Sequence, residues 1–267
     1  MGFLVNRLPR NEDELWWLVK ALFGVTIPRT AVCPDHVAPF TAFADAYFGR
    51  NSLDPDSPVQ SKALWHGSRG LSGKSFMLAI LGLTEAFLLG AKVNLLGGSL
   101  AQSTAIHEHM REALYHDNAP RDMIVAEGNT SIRLDNGARI RPLTASQRTV
   151  RGPHPSRILL DEIDEMELKI LDAALGQPMD QMNYLGQIIH PYTVMCSTWQ
   201  NPQGTFTEIM RRAEGDGTPI YQWCFLESAN PHDGWLTKEA IEEKRASIPA
   251  EMWRVEYELG EPAIGNR

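Results

Sequence analysis

The chain of 267 residues is poor in cysteine, in unbroken apolar sequence and in positive charge. Three cysteines, Cys33, Cys196 and Cys224, are too few for the disulfide framework of a small secreted protein and point to a reducing, cytosolic setting. The longest apolar stretch, residues 76–83, is soon followed by Glu85. A membrane-spanning helix needs roughly 20 such residues, so none is expected. At the N-terminus Arg7 and Arg10 interrupt any secretory core almost at once. Lys and Arg number 25 against 33 Asp and Glu, a net charge of −8, which argues against a protein that lives coated on nucleic acid. Internal repeats and low-complexity linkers are also lacking. What remains is ordinary globular sequence, 43% hydrophobic and long enough to bury a proper core as one large α/β domain or two small ones.

Periodicity predicts the elements. Asn11 is a plausible cap for a first helix with a stripe at Leu15, Leu18, Val19 and Leu22, and a second short helix starts at Pro39. Strands are expected over residues 62–66, 93–96, 158–160, 193–196 and 220–225, with helices over 74–89, 100–114 and 205–212 between them. Residues 132–134 and 138–143, joined through Asp135-Asn136-Gly137, read as a hairpin. A charged helical tail follows Thr237. Strands alternating with helices predict an α/β fold with a mostly parallel central sheet covered by helices on both faces.

The most informative stretch is Gly67-Ser68-Arg69-Gly70-Leu71-Ser72-Gly73-Lys74-Ser75, between a strand and a helix. Glycines let the backbone curl until its N–H groups face an anion, and the helix N-terminus adds positive character. Lys74 suits the outer phosphates of ATP, and the Ser75 hydroxyl suits Mg²⁺. The usual phosphate-loop pattern has four residues between its first glycine and the Gly-Lys pair; here five separate Gly67 from Gly73. Either Ser68 fills the first slot or the loop bulges by one residue near Leu71.

A second motif, Arg157-Ile158-Leu159-Leu160-Asp161-Glu162, is a buried strand ending in two carboxylates. The carboxyl ends of parallel strands are where ligands bind. Asp161 is expected to hold Mg²⁺, and Glu162 to orient and deprotonate water. Asp164, Glu165 and Glu167 read as a solvated acidic helix start. Arginines 133, 139, 141, 148, 151 and 157 form a local basic run against one acid, Asp135, suited to transient DNA contact. Cys33-Pro34-Asp35-His36 has half of a zinc spacing but no second Cys/His pair nearby in sequence, and reads as a structural loop. His107 and His109, two apart on a helix, are expected on different faces and exposed.

Taken in order, these motifs resemble the ATPase domain of the large terminase subunit of tailed bacteriophages. The likeness includes Val150-Arg151-Gly152-Pro153-His154-Pro155 before the acidic strand, Pro39-Phe40-Thr41-Ala42-Phe43-Ala44-Asp45, Gly97-Gly98-Ser99-Leu100-Ala101-Gln102-Ser103 and Cys196-Ser197-Thr198. The resemblance implies a RecA-type P-loop NTPase of the ASCE kind, acting as an ATP-driven motor that moves double-stranded DNA into a procapsid. It implies a homo-oligomeric ring, a pentamer, with the portal and the small terminase subunit as partners, in the cytoplasm of an infected bacterial host. Arg69 matches an arginine within the family's phosphate loop. Arg151 best matches the arginine offered to a neighbour's ATP, with Arg148 second, and Ser197-Thr198 match the motif coupling hydrolysis to movement. The implied layout is a helical, adenine-side segment over residues 1–60, the ATPase core over 61–225 and a C-terminal lid or linker over 226–267. The family's nuclease domain is absent from these residues, so no DNA cutting is expected of them. A helicase-like translocase, or a catalytically silent nucleotide-binding assembly module, is the alternative reading.

Overall fold

A computed structural model describes residues 8–49, 60–128, 131–143, 154–229 and 234–262. Helix α1 (Glu12–Phe23) starts where Asn11 caps it, the Asn11 side chain accepting from the Glu14 N–H at 2.9 Å. It ends at Gly24, whose φ of 69° the glycine alone takes without strain. Helix α2 (Pro39–Phe48) has proline in its first turn, where the missing N–H costs nothing. The alternating core then begins with β1 (Lys62–Gly67), α3 (Lys74–Leu89), β2 (Lys92–Gly97) and α4 (Leu100–Ala113). The strands β3 (Ile124–Gly128), β4 (Ser131–Leu134) and β5 (Arg139–Leu143) come next, followed by β6 (Arg157–Asp161) and α5 (Leu168–Leu175). A small two-stranded sheet, β7 (Gln181–Met182) and β8 (Ile188–Ile189), precedes β9 (Tyr192–Ser197), α6 (Thr205–Asp216) and β10 (Ile220–Trp223). The described tail holds α7 (Phe225–Ser228), α8 (Lys238–Ala246), α9 (Ala250–Met252) and a wide helical turn over Trp253–Tyr257. Three strands went unread in the sequence: β3 because it is mostly exposed and carries no clean alternation, and β7 and β8 because they are two residues each. The expected strand over 220–225 stops at Trp223, because Cys224 turns the chain to cap α7.

The main sheet has the order β10-β1-β9-β6-β2-β5-β4-β3. Its first six strands are parallel, and β4 and β3 extend it antiparallel. The strand carrying Asp161 is therefore not next to the strand that feeds the phosphate loop; β9 lies between them.

Each central strand is apolar on both faces, as a parallel sheet covered on both sides requires. Ala63, Trp65, Val93, Leu95, Leu159, Val194 and Cys196 face one core with residues of α1 to α4. Leu64, Leu96, Ile158, Leu160 and Met195 alternate with them and face a second core with Leu171 of α5 and Phe206 and Ile209 of α6. Helix α3 lies between the sheet and the N-terminal helices, so it is buried nearly all round. No helix among the described residues is long and apolar enough to cross a membrane.

Burial of α3 includes a charge. Glu85 is 0% exposed and accepts from Arg157 Nε of β6 at 2.5 Å; Arg157 also donates to the His190 carbonyl and is itself 1% exposed. Arg157 is thus spent inside the molecule and leaves the basic run proposed from sequence. The reason is positional: it starts a strand that is buried on both faces. Removing one member of such a pair strands the other, so Arg157→Met is expected to cost ~3–5 kcal/mol in denaturant unfolding. The double variant Glu85→Met/Arg157→Met is expected to recover much of that loss.

Candidate functional site

The loop between β1 and α3 curls through two left-handed glycines, Gly70 at φ 66° and Gly73 at φ 73°. Lys74, the first residue of α3, is 3% exposed. Its ammonium donates to the Gly67 carbonyl at 2.9 Å, the Ser68 carbonyl at 3.0 Å and Thr198 Oγ1 at 3.1 Å. Thr198 Oγ1 in turn donates to the Gly67 carbonyl at 3.0 Å. Ser75 Oγ donates to Asp161 Oδ2 at 2.5 Å, across the space spanned by β9. The Cys196 thiol donates to Asp161 Oδ1 at 2.9 Å, and the Glu162 N–H to the same oxygen at 3.0 Å.

Glu162 sits at φ 49° and ψ 52°, a left-handed conformation that is strained for a non-glycine residue. In that conformation its side chain reaches the end of β9. Glu162 Oε2 accepts from Ser197 Oγ at 3.3 Å and from the Thr198 N–H at 3.4 Å. Lys74, Ser75, Asp161, Glu162, Ser197 and Thr198, picked from three separate motifs, thus form one hydrogen-bonded network. Arg148 and Arg151 lie outside the described residues.

Both places considered for the extra loop residue are anchored to the C-terminal segment. Ser68 is fully buried; it donates to the Tyr257 carbonyl and accepts from the Phe225 N–H at 3.1 Å. Leu71 packs on the apolar cluster of Cys224, Phe225, Trp253, Tyr257 and Leu259. The Ser72 carbonyl accepts from the Trp223 indole at 2.9 Å and the Ser228 hydroxyl at 3.1 Å. Arg69 is half exposed and donates from its guanidinium to Glu256 Oε2 at 2.8 Å.

A cleft of about 520 Å³ opens over Gly73, Lys74, Ser75 and Glu162. Its far wall is Phe76, His109 and Trp235, with Phe76 edge-on to both rings at centroid distances of 5.8 and 6.0 Å. Sequence reading missed these three. No local motif marks them, and Trp235 arrives from more than 150 residues away along the chain.

Two sequence expectations need correction. Asp164 is not a solvated acid: its oxygens accept from the N–H groups of Gln200, Asn201 and Phe206 at 3.0–3.2 Å, holding the loop that follows β9. Glu165 and Glu167 are exposed as expected. His107 is 1% exposed, because it lies on the α4 face that packs on the sheet, whereas His109 stays at the cleft rim.

The donor set fits a nucleotide with a divalent cation. Burial, then the charge of Glu162, push the Asp161 carboxyl up. Ser75 Oγ and Asp161 would offer a hard cation the oxygen ligands it prefers, and such a cation would supply positive charge beside that carboxyl.

No protein-family model matches the chain, and no curated protein sequence does. Solved structures do. The large terminase of bacteriophage HK97 superposes with a TM-score of 0.60 at 15% identity over 90% of this chain and 54% of its own. The large terminase of a thermophilic bacteriophage, in complex with ATP-gamma-S, gives 0.55 at 8% identity over 79% and 50%. The ATPase domain of the Thermus phage P74-26 large terminase gives 0.51 at 14% identity over 94% and 98%. The fold is therefore that of a RecA-type P-loop NTPase with a mostly parallel sheet. Within that class it is the fold of the large terminase ATPase domains; the chain spans about half the length of the large terminase chains it matches.

Behind the loop, His66 is 4% exposed and bonds the Gln222 side chain at 3.2 Å. Burial holds its pKa down to about 4, from an ordinary 6.5. The unfolded chain takes up a proton there below pH 6.5 while the folded chain resists to about pH 4, so stability falls as pH drops through that window. The unfolding midpoint of a His66→Asn variant is expected to fall less steeply between these pH values.

Proposed function

We propose that this chain is the ATP-hydrolysing motor of a viral DNA-packaging terminase. The observation that carries the reading is the single network joining Lys74, Ser75, Asp161, Glu162 and Thr198 at the mouth of the cleft. Lys74 and the loop amides hold the phosphates of ATP. Ser75 and Asp161 hold Mg²⁺, which when bound neutralises charge on the phosphates. Glu162, its carboxylate held at the end of β9, orients the attacking water and takes its proton. No covalent intermediate on the protein is needed.

Thr198 touches both the lysine and the phosphate-loop carbonyl, and Ser197 touches Glu162. A change at the phosphates therefore shifts β9, and with Asp164 the loop behind it. This is a physical basis for coupling hydrolysis to movement through Ser197-Thr198. Arg69, tied to Glu256, is freed toward nucleotide only when that pair opens. Arg151, with Arg148 second, comes from a neighbouring subunit of a ring, a pentamer, and neutralises charge on the terminal phosphate. Residues 1–60 back the core on the adenine side, 61–225 form it and 226–267 form the lid. Portal, small terminase subunit and host cytoplasm follow from the same reading.

Double-stranded DNA is gripped by its phosphates. Arg133 and Arg139 are exposed and directly opposite on β4 and β5, beside the buried pair Ile132 and Ile140. Arg141 lies on the same face, its pKa lowered by burial and then by Arg139. Among the described residues none of the three pairs with a carboxylate. Like charges facing across strands cost stability, which a polyanion would offset.

Lys74→Ala is expected to abolish ATP binding measured by calorimetry; tight residual affinity removes the phosphate-loop assignment. Glu162→Gln is expected to bind ATP and lose ~10²–10⁴-fold in turnover. Mixing Arg151→Ala with Glu162→Gln subunits in assembled rings is expected to restore some hydrolysis, and Arg148→Ala serves as the comparison. The pair Arg133→Gln/Arg139→Gln is expected to weaken DNA binding and flatten its salt dependence by ~2 in log–log slope, equally for all sequences.

A further inference from the structure

Four side chains outside the nucleotide cleft converge behind the phosphate loop. Cys33 and His36 come from the loop between α1 and α2; Cys224 and Glu227 come from the cap and third residue of α7. One ligand atom from each, Cys33 Sγ, His36 Nδ1, Cys224 Sγ and a Glu227 carboxylate oxygen, lies within 4.8 Å of all the others. From this geometry we propose a structural zinc site formed by Cys33, His36, Cys224 and Glu227.

The spacing is that of two knuckles, Cys-x-x-His and Cys-x-x-Glu, nearly two hundred residues apart. Two thiolates on a tetrahedral zinc ion, each ~2.3 Å from the metal, stand about 3.8 Å apart. The Cys33 and Cys224 sulfurs are 3.9 Å apart. His36 Nδ1 and Glu227 Oε2 are 3.0 Å apart in a hydrogen bond; once an ion replaces the shared proton, a small separation brings them to the ~3.3 Å of neighbouring tetrahedral ligands. The set mixes sulfur, imidazole and one carboxylate, which suits zinc and not magnesium or calcium.

The surroundings are those of a held ligand set. The Leu226 N–H donates to Cys224 Sγ at 3.3 Å. Glu227 Oε1 accepts from the N–H groups of Val32 and Cys33, and Oε2 from that of Cys224 at 2.8 Å. Such outer donors aim ligands and temper their charge. The His36 side chain is 7% exposed and that of Glu227 0%.

The site has a structural task. It ties the α1–α2 loop to the segment whose Phe225 N–H and Ser228 hydroxyl hold Ser68 and Ser72 of the phosphate loop. Folding closes a very long loop there, where a cross-link constrains the chain most.

The test is metal content of the full chain purified with reductant and without chelator. One zinc per chain by mass spectrometry is expected. Replacement by cobalt(II) is expected to give thiolate-to-cobalt charge-transfer absorption. Cys33→Ser and Cys224→Ser are expected to lose zinc, and Cys196→Ala to keep it. Chelator is expected to lower the thermal midpoint of the parent chain and leave that of Cys224→Ser unmoved. A reduced chain that holds no zinc after incubation with zinc chloride, or a cobalt form without charge-transfer bands, overturns the site. So does a Cys33–Cys224 disulfide that takes up no zinc once reduced. These readouts on the parent chain stand even if a variant fails to fold.

Discussion

The buried ammonium of Lys74 is the constraint around which the rest is arranged. A charge that is 3% exposed needs partners, and here they are two loop carbonyls and the hydroxyl of Thr198. The loop curls back from those carbonyls to Lys74 through Gly70 and Gly73, both at positive φ. The hydroxyl is in reach only because β9 is the strand beside β1. A sheet with β6 in that place would bring the carboxylates to the lysine and leave no hydroxyl between them.

Strand order thus has chemical consequences. With β9 between β1 and β6, the ends of three neighbouring strands present Gly67, Ser197-Thr198 and Asp161-Glu162 in a row. Alternation along β6 then separates the two carboxylates. Asp161 shares the face of Leu159 and turns to Ser75, whereas the strained backbone of Glu162 turns that side chain to Ser197 and Thr198. Two acids one residue apart hold different partners, so they can hold different roles.

The phosphate loop is also held from behind. Ser68, Arg69, Leu71 and Ser72 all contact residues from Trp223 onward, through hydrogen bonds, an ion pair and an apolar cluster. A loop one residue longer than the usual pattern would otherwise have surplus freedom. Here Ser68, Arg69 and Leu71 turn to the C-terminal segment instead. Direct contacts thus run from that segment to the loop, and through Lys74 to Thr198.

Taken alone, the order of residues determined the parallel sheet, the glycine-rich turn into α3 and the acidic strand end, because each rests on local signals: two-faced apolar strands, glycines before Gly-Lys-Ser, and carboxylates after Leu160. It also determined the first two helices, whose cap and proline act within one turn. Only the tertiary structure decided what burial and long-range closure decide. Arg157, indistinguishable in the sequence from its neighbours in a basic run, is taken by Glu85 because it opens a strand buried on both faces. Asp164 looks like a surface acid until the loop after β9 folds over it. Trp235 reaches the cleft, and Cys224 and Glu227 reach Cys33 and His36, across spans that no periodicity records. Propensity and spacing act over a few residues, whereas these contacts exist only once the sheet has ordered its strands.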